Sequence, residues 1–110
     1  MNIKTILLTL FISLFSGAAL SSAGHSHAPV TQQQAEQLAS KIVLSLVNNG
    51  AIEKSWNGIN VENSEQKKFS GQSEWVVSYK NAAVKDTQKR NLFIFLTLSG
   101  EYLAANYTGQ

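Results

Sequence analysis

The chain has 110 residues and a formal net charge of +2, which leaves room for one domain with a single core. It contains no cysteine, so disulfides, thiolate metal sites and cysteine nucleophiles are excluded. Its positive residues are scattered rather than gathered on one element, which argues against nucleic acid as a partner.

The first 23 residues have the pattern of a secretory signal peptide. Lys4 supplies the positive start, Ile6–Phe15 is an apolar run, and Ser21-Ser22-Ala23 is a small-residue cleavage site. The apolar run is shorter than the roughly 20 residues that a membrane-spanning helix needs. We therefore expect export to the periplasm, with no integral membrane segment after cleavage. An uncleaved N-terminal anchor is the alternative.

Residues 24–30 follow as a flexible linker that carries both histidines, His25 and His27. Cleavage before Gly24 places a new α-amino group beside two imidazoles, and such nitrogen donors suit Cu(II), Ni(II) or Zn(II). Cleavage one residue earlier would put His25 third, which permits a square-planar copper site. Two histidines alone fall short of the usual three or four protein ligands of zinc. Gly24, His25 and His27 are therefore candidate ligands for Cu(II) or Zn(II); the alternative, which a short histidine tract does not by itself outweigh, is a solvated tail without metal.

A long amphipathic helix is expected next. Thr31 is a good N-cap and Gln34 completes a capping box. Asn48-Asn49-Gly50 supplies the C-terminal stop. Between these signals, apolar residues recur at helical spacing at Ala35, Leu38, Ala39, Ile42, Val43, Leu46 and Val47.

The remainder of the chain has strand-like patterns. Ala51–Trp56 can add one helical turn, and Ile59–Phe69 is typical of an edge strand whose Lys67 and Lys68 discourage pairing with other sheets. Glu74–Lys80 alternates between apolar and polar residues as a strand does. A long polar connection then leads to the last and most apolar segment.

That last segment, Asn91–Tyr107, is expected to form two strands joined by a two-residue turn at Ser99-Gly100. This register pairs Leu96 with Leu103, Ile94 with Ala105 and Leu92 with Tyr107, and it gives the hairpin one continuous apolar face for the helix. A one-residue bulge at Gly100 would change the division between the two faces. The other face is expected to carry Phe93, Phe95 and Tyr102 among polar residues. The residues assigned to the helix are Leu92, Ile94, Leu96, Leu103 and Ala105.

The patterns together predict an α+β fold for residues 31–110, with one long helix on a three- to four-stranded antiparallel meander. A set of aromatic residues could line a face that binds a protein partner, a peptide or a second copy of the chain. The alternative is that these rings complete the small core. The set consists of Trp75, Tyr79, Phe93, Phe95 and Tyr102.

No catalytic constellation is recognisable in the sequence. The histidines lie on the expected tail, and neither a G-x-S-x-G elbow nor a glycine-rich phosphate loop is present. The acidic residues fall at expected turns, edges and polar strand positions, where solvated carboxylates are common. We therefore expect a protein that is not an enzyme.

The segments GHSHAPVT, NNGAIEKSW, EWVVSYKN and RNLFIFLTLSGEYLAANYTG resemble a family of small secreted Gram-negative bacterial proteins known as a domain of unknown function. The likeness covers the mature chain and implies no established activity. It does imply a recurrent histidine-rich start, which favours metal binding by His25 and His27.

The segment LTLSGEYLAANY is also similar to the closing hairpin of PepSY-type domains, in which a helix precedes a short antiparallel meander. That resemblance implies an exported or membrane-attached protein that restrains a peptidase. The longer helix, Trp56 and the longer polar middle depart from the PepSY pattern. The leading expectation is therefore a periplasmic metal-binding accessory, and the alternative is a PepSY-like interaction module.

Overall fold

The computed structural model describes residues 28–110, so the expected signal peptide, Gly24, His25 and His27 lie outside the described part. One α-helix is followed by four antiparallel strands in the order β1-β2-β3-β4, which confirms the predicted α+β fold. Single turns of 3-10 helix span Lys54–Trp56 and Thr87–Lys89. The main elements are α1 (Gln32–Asn48), β1 (Val61–Phe69), β2 (Gln72–Lys80), β3 (Asn91–Thr97) and β4 (Tyr102–Asn106).

Helix α1 begins at the predicted capping box. The amide of Gln34 donates to Thr31 Oγ1 at 3.1 Å, and the amide of Thr31 donates to Gln34 Oε1 at 2.9 Å. The helix ends where Gly50 takes a φ of +75°, a conformation that glycine adopts without steric cost. Within the described part of the chain, no helix is both long and apolar enough to cross a bilayer.

One side of the sheet, the helix face, packs against the apolar stripe of α1. Residues directly opposite each other on antiparallel strands share a face. Trp75 lies opposite Leu96, and Tyr79 lies opposite Leu92, so all four point toward the helix. The largest fully buried side chains of this main core are Trp56, Tyr79, Leu46, Leu92, Ile94, Leu96, Val77 and Val84.

The other side of the sheet, the outer face, carries a smaller apolar cluster. At its centre Phe95 is only 1% exposed, flanked by Val76 and Ala104. Phe69, Phe93 and Leu103 pack around this centre and are half-buried. The domain therefore has two apolar clusters, one on each side of the sheet.

The last hairpin departs from the predicted two-residue turn. The amide of Thr97 donates to the carbonyl oxygen of Glu101 at 2.8 Å, which closes a three-residue loop. Gly100 supplies the left-handed conformation in that loop, with a φ of +93°. Three-residue hairpin loops commonly consist of a type I turn followed by a residue in the left-handed conformation, a position that glycine suits.

The longer loop changes which side chains face the helix. Ile94 pairs with Ala105 as predicted, but Leu96 pairs with Tyr102 rather than Leu103. A bulge at this point accommodates the extra residue. Tyr102 therefore packs on the main core and Leu103 on the outer cluster, so both assignments made from the sequence are wrong.

The connection between β2 and β3 closes the far end of the main core. Val84 is 1% exposed, although the surrounding sequence is polar. The amide of Asn81 donates to the carbonyl oxygen of Arg90 at 2.8 Å, and Arg90 Nε donates to the carbonyl oxygen of Val84 at 2.6 Å. These bonds satisfy polar backbone groups around a buried valine.

Candidate functional site

The histidine-bearing tail joins the described domain beside the loop between β3 and β4. The amide of Val30 donates to the carbonyl oxygen of Leu98 at 2.8 Å. Val30 also packs against the main core. His27 lies three residues before this anchored position, so the point from which the tail leaves the domain is fixed.

Gly100 allows the close approach of α1 and Val30 to this loop. A Cβ atom at position 100 would lie 2.6 Å from Leu38 Cδ1 and 3.2 Å from Val30 Cγ1. The positive φ of Gly100 separately disfavours any residue with a side chain. Glycine is thus favoured here by the backbone conformation, and any added side chain would also force Leu38 Cδ1 to shift.

Glu101, the next residue, places an exposed carboxylate at the same end of the domain. Its amide donates to Thr97 Oγ1 at 2.9 Å, and its carbonyl oxygen accepts from the amide of Thr97. Among residues 28–110, no group of three His, Cys, Asp or Glu side chains could hold a metal ion. The nitrogen donors proposed from the sequence all precede the described residues.

The five aromatic residues expected on one interaction face are divided between the two sides of the sheet. Trp75 and Tyr79 are buried under α1, and the half-buried Tyr102 packs on the same core. Phe93 and Phe95 lie on the outer face. The five residues do not share one face, because the strand register pairs Trp75 and Tyr79 with residues of β3 that face the helix.

Tyr79 joins the sheet to α1 through its hydroxyl group. Tyr79 Oη and Ser40 Oγ lie 2.9 Å apart and share a hydrogen bond. Burial raises the pKa of Tyr79 to about 12; the Ser40 bond opposes this rise and the Glu36 carboxylate adds to it. These features are those of a structural tyrosine that keeps its proton at neutral pH.

The outer face offers only part of its aromatic surface to solvent. The rings of Phe69 and Phe95 meet edge to face at 5.6 Å, which covers Phe95 from one side. The chain terminus approaches Phe93, because a Cβ on Gly109 would lie 3.1 Å from that ring. Asn106 Oδ1 holds this terminus by accepting from the amides of Thr108 and Gly109. The accessible apolar surface is thus formed by Phe69, Phe93 and Leu103.

A polar seam between α1 and β1 was not predicted from the sequence. Gln32 Nε2 donates to the hydroxyl and carbonyl oxygens of Ser64, at 2.8 Å and 3.0 Å. The Ser64 hydroxyl donates to the carboxylate of Glu36. Gln32, Glu36 and Ser40 recur every four residues on one flank of α1, and this spacing was the available signal. A shallow groove beside the seam is lined by Gln33, Glu36, Gln37, Ser40, Lys41, Ile59, Asn60 and Val61.

Comparison with known proteins gives one match. The model of a family described as a family of unknown function, DUF6488, matches residues 1–110, the whole chain. The search of curated proteins and the search of solved structures returned no match.

Proposed function

The chain belongs to DUF6488, a family of unknown function. We propose that it is an exported, non-enzymatic periplasmic protein that binds a transition metal ion. The metal is Cu(II) or Zn(II), and the donors are the mature α-amino group at Gly24 with His25 and His27. In this role the protein is an accessory in metal handling. The α+β domain serves as the carrier of the binding segment.

The observation that carries this proposal is the placement of two imidazoles immediately after the expected cleavage site. Signal-peptide removal creates the third nitrogen donor at the same place. The domain supports the proposal because Val30 is bonded to Leu98, three residues after His27. The chain is thus fixed to the domain within six residues of Gly24, the first of the three donors.

The proposal is tested by calorimetric titration of the exported protein with Cu(II) and with Zn(II). The mature protein is expected to bind one equivalent of metal, and the double variant His25→Ala/His27→Ala is expected to lose that binding. Ser26→Ala is the matched control, since it changes the same segment without removing a nitrogen donor. Equal affinities of the double variant and the unsubstituted protein would refute the proposal.

A second candidate function uses the outer face. Phe69, Phe93 and Leu103 are half-buried around the buried ring of Phe95, and α1 lies on the opposite side of the sheet. Apolar side chains on one face of a small sheet are the usual core of a protein-protein interface. The occupant would be a periplasmic protein or a second copy of this chain, as in the PepSY-like interaction module.

Photo-crosslinking in the periplasm tests this second function. A photoreactive residue at Phe93 is expected to give an adduct, because that ring is partly accessible. The control probe replaces Leu44, an exposed leucine on α1 that is 46% accessible. An interaction through the outer face would be contradicted if the protein were a monomer that gives no adduct from position 93. It would also be contradicted if the probes at positions 93 and 44 gave equal amounts of adduct.

A further inference from the structure

The sheet ends in two edge strands, β1 and β4, and the sequence guards them differently. An edge strand presents unpaired backbone N–H and C=O groups, which can pair with a strand of another chain. Proteins prevent such pairing with charged side chains on the edge or with an element that covers it. An edge without these features is a surface on which a further strand fits.

Strand β1 has both kinds of protection. From α1, Gln32 Nε2 donates to the backbone carbonyl oxygen of Ser64 at 3.0 Å, so the helix covers part of this strand. Four of the nine residues of β1 carry a charge and are exposed. These residues are Glu62, Glu65, Lys67 and Lys68.

Strand β4 is not protected in this way. It contains no charged residue, and α1 packs mainly on the other three strands. Among residues 28–110, no backbone hydrogen bond joins Leu103, Ala104 or Ala105 to a residue outside β3. The chain after β4 turns over the outer face, where Gly109 approaches the ring of Phe93. The free side of β4 is therefore an edge without charge, and the half-buried Leu103 lies beside it.

We propose that two copies of the chain pair antiparallel through β4 and join their two sheets into one. Under a two-fold axis each copy offers the other the same row of N–H and C=O groups, so both edges are satisfied together. The joined sheet then ends at both sides in β1, the protected strand. A peptide strand from a different protein would instead bring a new edge of its own.

The charges next to β4 also permit this pairing. The exposed Glu101 precedes the strand, so an antiparallel arrangement keeps the two Glu101 carboxylates at opposite ends of the strand pair. Pairing two β1 strands would instead bring eight exposed charged side chains into one interface. The uncharged edge is thus the one that suits a second copy. This inference is independent of metal binding by the tail.

The first test is the oligomeric state of the exported protein, measured by analytical ultracentrifugation up to about 1 mM. A dimer is expected. Leu103→Lys is expected to weaken the dimer at least about tenfold, because it places a like charge from each copy at the uncharged edge. Leu44→Lys, at an exposed leucine of α1, is the matched control and should leave the dimer unchanged. Circular dichroism confirms that both variants are folded.

The second test locates the pairing surface by cysteine cross-linking, since the chain has no cysteine of its own. Glu101 and Thr108 are exposed and flank β4, so the proposed pairing brings position 101 of one copy beside position 108 of the other. A mixture of Glu101→Cys and Thr108→Cys should therefore form dimers with a short bismaleimide. Each variant alone should not, because its two thiols would lie about 20 Å apart. A mixture of Glu62→Cys and Lys68→Cys is the matched control at the β1 edge and should give no dimer.

A dimer that cross-links only between positions 101 and 108 would support the proposal. A protein that stays monomeric over the whole concentration range would overturn it. So would a dimer in which this mixture does not cross-link, because the copies would then meet through another surface. A monomer whose Glu101→Cys variant forms adducts with a different periplasmic protein would assign the β4 edge to that partner and would equally overturn the pairing of two copies.

Discussion

The amide of Val30 donates to the carbonyl oxygen of Leu98 at 2.8 Å, which ties the chain just before α1 to the loop between β3 and β4. The two residues are 68 positions apart in the sequence, so this bond closes the fold across nearly the whole described domain. It also determines where the expected metal-binding tail begins.

Gly100→Ala is expected to destabilise the domain by at least about 2 kcal/mol. The added methyl group would meet Leu38 at 2.6 Å, and the positive φ is unfavourable for alanine. Gly50→Ala is the matched control, because Gly50 also has a positive φ but has open space around its Cα. The control is expected to lose about 1 kcal/mol from backbone strain alone. Urea unfolding measures both, and equal losses would show that the contact with Leu38 is unimportant.

Tyr79→Phe is expected to cost about 1 kcal/mol at pH 7, because it removes the hydrogen bond to Ser40. The difference should shrink in alkaline solution. Between pH 10 and 12, unfolded Tyr79 has lost its proton while folded Tyr79, with a pKa of about 12, retains it. The unfolded state then binds fewer protons, so the stability of the unsubstituted protein falls as the pH rises, by about 1.4 kcal/mol per unit.

The stabilities of Tyr79→Phe and the unsubstituted protein should thus meet near pH 11. Urea unfolding at pH 7, 10 and 11 measures the difference in stability between the two proteins. Both proteins contain the same other titratable groups, so the effect of those groups cancels in the difference. A stability difference that stays constant over this range would contradict the raised pKa of Tyr79.

Phe95→Ala is expected to destabilise the domain by about 3–5 kcal/mol, because it empties the centre of the outer cluster. Phe93→Ala should cost clearly less, about 1–2 kcal/mol, since Phe93 is only half-buried. Thermal or urea unfolding of the two variants measures both losses of stability. Similar small losses for both would mean that the outer cluster does not behave as a second core.

Copper bound at the tail should quench Trp75 more than Trp56. Trp75 lies opposite Leu96, near the loop where the tail begins, whereas Trp56 packs beyond the C-terminal end of α1. A 17-residue helix is about 25 Å long, which separates the two indoles. Trp56→Phe leaves Trp75 as the reporter, and Trp75→Phe leaves Trp56. Equal fractional quenching of the two variants by one equivalent of Cu(II) would place the metal elsewhere.

Local signals made the helix predictable. Thr31 and Gln34 are three residues apart, and their reciprocal bonds depend on little besides the helix itself. The last hairpin was predicted only in part, because Gly100 suits a two-residue and a three-residue loop equally well. The two loops exchange the faces of Tyr102 and Leu103. The three-residue loop that forms packs against Leu38 of α1 and against Val30, which are distant in the sequence.

Long-range contacts account for what the sequence could not predict. Ser64 is the one buried residue of β1, and Gln32 and Glu36 bond to it from α1. The division of the aromatic residues has a similar origin. Strand β2 has consecutive apolar residues around Val76, so both of its faces are apolar there. The sequence pattern therefore does not show which face the helix covers.

Native mass spectrometry of the protein exported by a Gram-negative host with its own leader tests the metal-binding proposal most directly. After addition of Cu(II) or Zn(II), we predict a chain that begins at Gly24 and carries one metal ion. The His25→Ala/His27→Ala variant is predicted to begin at the same residue and to carry no metal. A retained leader, or an unsubstituted protein that stays as metal-free as the variant, would contradict the account.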